Sequence, residues 1–396
     1  MLFFVVPFFR PSIVNDWSVL APLEAIFTLW LLAACVVAIG RFVLRNGRIG
    51  LFLVGLVSML LVMFFSTWGH GGLLYDALVD IVMFLGMAAF VGTLERQEVK
   101  PFLQALIILL FSLVAAELIM RFLIPQGIYR YEGFKRWILE SGSMQSRWCF
   151  ILVFASAVFD YMRKRKYGIL FYCSVAISLI MVLQLQSAVS IVGLAVELAI
   201  LAISGSLTAQ RVFTCFRVSV VLMVAMVAVV FFRIADYLPY DAIATFLGND
   251  LTYQSGATFT GRTYIWDSVM ASIAQSPLFG NGFQQFVATD VYQILSQTDF
   301  SSSHNLWLQV AYQGGFVGLF FFFLSYCSAC FQADSVGPGR ARLIFVALLA
   351  AFVLASIFEN TLNAAFVLVM AIPVSNVVLQ TVEGLPLSEG DVDGEL

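Results

Sequence analysis

The chain has 396 residues, of which 61% are hydrophobic and only 11% are charged, and its formal net charge is −3. Soluble domains carry about 25% charged residues, and nucleic-acid binding requires a basic surface. The composition therefore excludes a soluble enzyme, a disordered chain and a nucleic-acid-binding protein, and predicts a polytopic membrane protein. The six cysteines are scattered, and the CxxC at Cys327 and Cys330 lacks a second ligand pair, so we expect neither disulfides nor zinc. The first ten residues have no basic leader and no small-residue cleavage site, so we expect no signal peptide.

Apolar runs of about 20 residues predict an all-α fold with eleven transmembrane helices, within a range of ten to twelve. They lie near 18–40, 50–68, 73–94, 102–120, 147–162, 168–184, 186–204, 216–232, 305–326, 343–359 and 364–381. The chain is thereby divided into helices one to eight over 1–232 with a basic loop at 121–146, a large and partly helical loop over 233–303, helices nine to eleven over 304–381, and an acidic tail over 382–396. Residues 2–9 are too few to span and are expected in the membrane interface.

Lysine and arginine predict the orientation, because they concentrate in cytoplasmic loops. One set of alternating loops carries the basic residues Arg41, Arg45, Arg48, Arg96, Lys100, Arg163, Lys164, Arg165, Lys166, Arg211, Arg217, Arg340 and Arg342. The short loops near 69–72, 185 and 360–363 on the other side carry none. The first set is therefore predicted to be cytoplasmic, with the large loop outside.

The outer loop at 121–146 breaks this bias, because it and its flanks contain Arg121, Arg130, Lys135, Arg136 and Arg147. A bound anion, such as a phosphate or an acidic glycan, would explain basic residues on the translocated side. Contact of their side chains with lipid headgroups is the alternative.

His304 follows three serines and opens the apolar run that begins at Leu306. Serines in this position predict a helix N-cap, so we expect His304 in the first turn of a helix at the outer face. The positive end of a helix favours a neutral imidazole, which can act as a general base. A histidine that only caps the helix is the alternative, and Gly314 and Gly318 downstream form a GxxxG that favours helix packing.

Arg262 precedes an apolar stripe of Ile265, Trp266, Val269 and Ile273, which predicts an amphipathic helix in the outer interface that ends near Pro277. At the start of such a helix, the guanidinium of Arg262 and free backbone N–H groups could together bind a phosphate.

Several acidic residues lie within or beside the predicted spans. Glu117 and Arg121 are four residues apart on one helical face and are expected to pair. Glu359 ends span ten on the outer side, where it could reach His304. Asp76 and Asp80 would suit a proton relay in a transporter. No Walker motif, GxGxxG, HExxH or outward acidic pair is present, so we expect no cofactor and no metal.

Three motifs then resemble the O-antigen ligase and O-antigen polymerase superfamily, which includes exopolysaccharide polymerases. They are Gly261-Arg262 followed by Trp266, Pro277-Leu-Phe-Gly280-Asn-Gly282-Phe283, and Ser303-His304-Asn305 with Gly315 and Gly318 downstream. The stretch from Tyr129 to Gly133 supports the same resemblance. The chain departs from the family pattern at 143–146 and at Ser187-Ala188, so a second donor-binding arginine must come from elsewhere.

The resemblance implies a GT-C-like, metal-independent glycosyltransferase in the bacterial inner membrane with its site facing the periplasm. Its donor would be an undecaprenyl diphosphate-linked glycan, and its acceptor a second glycan chain or the lipid A core. His304 would be the base, Arg262 with Arg130, Lys135 and Arg136 would bind the diphosphate, and Asn305, Glu359, Gly315 and Gly318 would support them. Membrane lipids and other polysaccharide assembly proteins are the further partners expected.

Two other functions remain open at this point. The acceptor distinguishes a polymerase, slightly preferred on the motifs, from a ligase. A polysaccharide flippase or other secondary transporter would instead show inverted repeats and broken helices, and the sequence contains neither a repeat nor a Gly/Pro-interrupted pair of spans.

Overall fold

The computed structural model describes residues 1–45, 50–131, 134–139, 142–185, 187–233, 253–283, 303–335 and 337–384. Its helices, in chain order, are α1 Leu2–Val5, α2 Ser12–Asp16, α3 Ala21–Leu44, α4 Leu51–Gly69, α5 Leu74–Gly92, α6 Arg96–Leu123, α7 Ser146–Lys164, α8 Ile169–Leu185, α9 Ala188–Ile203, α10 Leu207–Val212, α11 Cys215–Val230, α12 Tyr253–Gln275, α13 Leu306–Ser335, α14 Arg340–Phe358, α15 Ala364–Val374 and α16 Asn376–Glu383. Short 3₁₀ turns occupy Val6–Phe9, Ser18–Leu20 and Gly142–Gln145. Strands β1 Tyr129–Tyr131 and β2 Phe134–Arg136 form an antiparallel hairpin that the all-α prediction did not include.

Ten of the eleven predicted spans each coincide with a single helix, and the last, at 364–381, is divided between α15 and α16. By length and composition, six helices of the described chain could cross a membrane: α3 with the turn before it, α4, α5, α6, α13 and α14. Helices α15 and α16 pass the same test together as a pair bent by 66°, which gives seven. Helices α8, α9 and α11 are apolar but shorter, with 17, 16 and 16 residues. The chain is a multi-pass helical membrane protein, and the count of eleven crossings stays a prediction.

Contacts between helix termini define the two ends of the bundle. Arg41 at the end of α3 pairs with Glu98 at the start of α6 at 2.7 Å. Arg340 at the start of α14 lies 4.4 Å over the Tyr167 ring, just after α7. We call the end of the bundle at which these two contacts lie the basic end. The far ends of α6 and α14, with the β-hairpin that precedes α7, therefore lie together at the opposite end, which we call the site end.

At the basic end, Arg165 holds the last helix in place. Its Nη1 donates to the carbonyl of Val382 at 2.9 Å, and its Nη2 donates to that of Glu383 at 3.1 Å. The guanidinium thus satisfies carbonyl groups that α16 leaves without intrahelical partners.

Helix α13 folds back on itself, which corrects the predicted straight span at 305–326. Gly315 has φ 60° and ψ −163°, which breaks the helix into a first leg, 306–314, and a second leg, 316–335. The ring centroids of Trp307 and Phe323 are 5.3 Å apart, whereas sixteen residues of continuous helix would separate them by about 24 Å. Only Gln313, Gly314 and Gly315 interrupt the apolar run at the break, and the prediction of a single span passed over them. The bend between α15 and α16 is a second interruption that the sequence did not predict.

The N-terminal segment packs on the protein, and its position in the membrane interface stays a prediction. Phe8 and Phe9 are buried, and the ring of Phe9 contacts that of Trp148 edge to face. The backbone N–H of Ile13 donates to Ile138 beyond the β-hairpin at 3.1 Å. This segment therefore supports the loop between α6 and α7.

Candidate functional site

Glu359 joins Arg262 and His304 at the site end of the bundle. Its Oε1 accepts a hydrogen bond from Nη2 of Arg262 at 2.7 Å, and its Oε2 lies 3.2 Å from Nδ1 of His304. The Glu359 side chain is 6% exposed, that of Arg262 16% and that of His304 30%. Three residues from three separate segments thus form one half-buried cluster, which we call the carboxylate cluster.

Arg262 lies inside a helix, which corrects its predicted place at a helix start. Helix α12 begins at Tyr253, so the backbone N–H of Arg262 belongs to the helix interior and cannot help to bind a phosphate. The helix does end at Gln275, as the turn residues from Pro277 onward predicted. Ile265, Trp266, Val269 and Ile273 are buried, so this face packs on the protein.

His304 precedes its helix, which corrects its predicted place in the first turn. Its φ is +47°, and α13 begins two residues later. Asn305 is the capping residue, since its Oδ1 accepts from the N–H of Leu308 at 2.9 Å. The helix terminus thus gives no direct reason for a neutral imidazole. The electrostatic partner of His304 is Glu359.

The backbone at His304 is fixed by its two neighbours, both fully buried. Asn305 Nδ2 donates to the carbonyl of Ile357 at 2.8 Å, which ties this segment to α14. The N–H of Ser303 donates to Oε1 of Gln309 at 3.0 Å, and its hydroxyl donates to the carbonyl of Asn305 at 2.6 Å. These contacts hold a positive φ at a non-glycine residue, a conformation that persists only where surrounding contacts enforce it.

The carboxylate cluster can polarise the imidazole. A guanidinium donates to Glu359, so Glu359 accepts as a carboxylate, and Nδ1 of His304 must then carry the proton between them. The lone pair of a neutral ring is thereby assigned to Nε2. The carboxylate therefore orients the imidazole ring.

Residues 277–283, which the sequence predicted to be a turn and part of a family motif, lie against the break in α13, and we call them the apex loop. Its N–H groups at Asn281 and Gly282 donate to the carbonyls of Tyr312 and Gln313 at 2.7 and 2.9 Å. In the other direction, Phe316 and Val317 donate to the carbonyls of Pro277 and Leu278 at 2.8 and 3.1 Å. The loop therefore caps the first leg and the second leg of α13 at once.

Gly315 is required at the turn, whereas Gly318 is not constrained in this way. A Cβ on Gly315 would collide with the backbone of Leu278, and its φ is positive. On Gly318 it would meet Val62 Cγ1 at 3.8 Å, an ordinary contact. A closer approach between α4 and α13 occurs at Gly55, where a Cβ would be 2.5 Å from Ser325 Oγ. The GxxxG therefore packs on α4 without being its closest contact.

The predicted diphosphate-binding residues of the outer loop lie on the β-hairpin at the same end of the bundle. Arg130 and Lys135 are opposite each other in its register and are exposed, while Arg136 is half-buried. Burial raises the pKa of Tyr129 to about 12, so its phenol is protonated at neutral pH, and it donates to Asp16 at 3.3 Å. The hairpin is thus attached to the N-terminal segment.

Glu117 organises the loop that follows this hairpin. It pairs with Arg121 at 2.8 Å, as predicted, and is fully buried. Its Oε2 accepts from the backbone N–H groups of Ile138 and Leu139 at 2.8 and 2.9 Å. Gln145 donates to its other oxygen at 3.3 Å. Its contacts are those of a structural residue.

Metal-ligand geometry is not found in the described ranges, where no group of three or more His, Cys, Asp or Glu side chains is arranged to hold an ion. The acidic residues Glu132 and Glu140 of the outer loop, the serines 301 and 302, and most of the 233–303 loop and acidic tail lie outside the described residues.

Comparison with known proteins gives one family. No curated protein and no solved structure matches the chain. The model of the O-antigen ligase family matches residues 173–323, a range that contains Arg262, His304 and the apex loop. The match confirms the resemblance predicted from the motifs: residues 173–323 of this membrane protein are similar to the O-antigen ligase family, which supports the ligase and polymerase superfamily.

Proposed function

We propose that the chain transfers a glycan from an undecaprenyl diphosphate carrier to a sugar hydroxyl at the periplasmic face of the inner membrane. The family match supports transfer of a lipid-linked glycan in general. The observation that carries the finer proposal is the carboxylate cluster, because it places a cation and an oriented imidazole in contact with one carboxylate.

In this mechanism, the acceptor hydroxyl oxygen bonds to the anomeric carbon of the donor sugar while the bond from that carbon to the diphosphate oxygen breaks. Nε2 of His304 takes the hydroxyl proton, and the electron pair of the broken bond leaves with the lipid diphosphate. Glu359 holds the Nδ1–H tautomer, as a buried carboxylate does for catalytic histidines in unrelated enzymes.

The leaving diphosphate needs positive charge. Arg262 donates one Nη2 hydrogen bond to Glu359, and a guanidinium has five N–H donors, so others remain to bind phosphate oxygens. Arg130, Lys135 and Arg136 supply further positive charge at the same end of the bundle. We propose that these cations replace a metal. Transfer by the purified protein should then survive EDTA, and a loss of activity that magnesium restores would contradict this part.

A polymerase is our first choice of activity, and a ligase that uses the lipid A core is the second. A strain that lacks this chain separates them by the glycan that accumulates. Single repeats on the acceptor indicate a lost polymerase, whereas complete polymer that stays on the carrier indicates a lost ligase. Lipid-linked repeats trapped on the cytoplasmic leaflet would contradict both activities and support a flippase. Broken helices such as α13 are typical of that class.

A further inference from the structure

The apex loop and the carboxylate cluster lie at opposite ends of the same two helical segments. Helix α12 runs from Arg262 to the apex loop, and the first leg of α13 runs from the residues after His304 to Gly315. At 1.5 Å per residue, both separations are about 15–20 Å. Any shift of the apex loop against α13 therefore moves Arg262 relative to His304.

The two segments are fixed differently at their site ends. The His304 segment is anchored locally, by the bonds from Asn305 to Ile357 and from Ser303 to Gln309. Arg262 is held by its contact with Glu359 and by a ring contact with Phe358, 6.0 Å away. Farther along α12, Asp267 pairs with Arg233, but both side chains are nearly half exposed. The buried residues Ile265, Trp266, Val269 and Ile273 hold the side of α12 on the protein, and the position of Arg262 along the helix axis thus depends on what holds the C-terminal end of α12.

That end is held by contacts that leave no space for adjustment. Ser66 Oγ donates to the carbonyl of Gly280 at 2.6 Å, and the N–H of Phe283 donates to Thr67 Oγ1 at 2.8 Å. Gly280 has φ +69°, and a Cβ there would lie 2.5 Å from the backbone nitrogen of Gly315. Together with the four backbone bonds to α13, these contacts join the apex loop to α4 and to both legs.

We infer that the apex loop is a positioning element for Arg262, with Gly280 and Thr67 as its positioning residues. This inference rests on the proposed function, in which Arg262 binds the donor diphosphate. It predicts that damage to the apex loop acts on donor use through Arg262, while His304 remains in place. A purely structural loop would instead lower the amount of folded protein without a selective effect on the donor.

The test compares Gly280→Ala with Gly71→Ala. Gly71 has the same φ of +69° but nothing within 4 Å of a Cβ, so it controls for backbone strain alone. Transfer is measured in membranes that contain the native lipid-linked glycan, per amount of folded protein, at several donor concentrations. We expect Gly280→Ala to raise the apparent KM for the donor about 10- to 100-fold, since misplacement by about 1 Å can cost 10²-fold. Gly71→Ala should behave as the wild type.

A double-mutant cycle decides whether the effect passes through Arg262. In an Arg262→Ala background, Gly280→Ala should cause little further loss. Multiplicative losses, or an unchanged donor KM in Gly280→Ala, would overturn the positioning role. If Arg262→Ala alone transfers normally, the proposed function of Arg262 fails, and the positioning role fails with it.

If Gly280→Ala does not fold, Thr67→Val enters the same cycle. It removes the acceptor of the Phe283 N–H and keeps a branched side chain. Thr93→Val is its matched control, because Thr93 is also buried and its hydroxyl bonds only to carbonyls of its own helix, at Ala89 and Phe90. The same two results, independent losses or an unchanged KM, would again overturn the inference.

Discussion

Glu359 accepts a hydrogen bond from Arg262 at 2.7 Å, although 97 residues separate them along the chain. The pair is largely buried, so its charges are poorly screened and each depends on the other. His304 contacts the second oxygen of the same carboxylate, so a change in the contact between Arg262 and Glu359 also changes the surroundings of the imidazole.

Replacing Glu359 by Gln tests this coupling. The amide keeps the shape but loses the charge that fixes the tautomer of His304, so transfer should fall about 10²–10⁴-fold, as when a base is misoriented. The measurement is single-turnover transfer. Asp267→Asn, which neutralises the carboxylate paired with Arg233, is the matched control and should have little effect. Equal activity of Glu359→Gln and wild type would remove the carboxylate from the mechanism.

Replacing His304 by Ala should remove turnover and spare donor binding, because the imidazole acts on the acceptor. A general base contributes about 10²–10⁴-fold. His70→Ala is the control, because His70 is the other histidine of the chain. It lies at the end of α4 with its Nδ1 2.9 Å from the Ser66 carbonyl. Normal transfer by His304→Ala would return His304 to a structural role beside Asn305.

Replacing Arg262 by Ala should weaken donor binding as well as transfer, and Arg262→Lys should restore only part of both. An ammonium lacks the planar fork of donors that contacts a carboxylate and phosphate oxygens together. Equilibrium binding of the carrier-linked glycan separates the two effects, with Arg233→Ala as the control. Full rescue by lysine would show that charge alone suffices.

Replacing Glu117 by Gln should destabilise the loop between α6 and α7. It removes the charge of a fully buried carboxylate that pairs with the largely buried Arg121, and it places an amide against several N–H donors, which costs about 3–5 kcal/mol. Thermal unfolding and proteolysis in detergent measure the loss. Glu95→Gln, which breaks the half-exposed pair with Arg45, should cost much less. Similar stability of the two variants would contradict the role of Glu117.

The predicted orientation is tested by fusion of a reporter that is active only in the periplasm. It should be active when fused after residue 250 and inactive when fused after residue 165. The second fusion point lies within the run of four basic residues at 163–166. The reverse pattern would place the carboxylate cluster at the cytoplasmic face of the membrane. It would therefore exclude transfer from a donor at the periplasmic face.

Local patterns predicted the helical segments and the short-range contacts of this chain. Apolar runs located the helices, turn residues located the end of α12, and the four-residue spacing predicted the pair of Glu117 and Arg121. Proximity of Glu359 to His304 followed from chain order alone, because spans nine and ten were expected to meet on the outer side.

The sequence did not predict the features that depend on a backbone turn inside an apolar segment. Gln313, Gly314 and Gly315 do mark the fold-back of α13 in the sequence, but the glycines were interpreted as a helix-packing motif because apolar residues continue on both sides. Helix α12 begins well before its apolar stripe, so the stripe alone did not predict that Arg262 lies inside the helix. The β-hairpin has only three residues in each strand, too few for an alternating pattern to indicate it.

The two bonds from Arg165 to the carbonyls of Val382 and Glu383 bear on how the protein can be shortened for expression. A version that ends before residue 382 would remove both acceptors of the Arg165 guanidinium and would release α16 from the α7–α8 connection, whereas one that ends at residue 384 keeps both acceptors. Removal of the acidic residues beyond that point breaks neither bond. An affinity tag should therefore follow residue 384 or a later position, since one placed earlier would replace part of the packed helix.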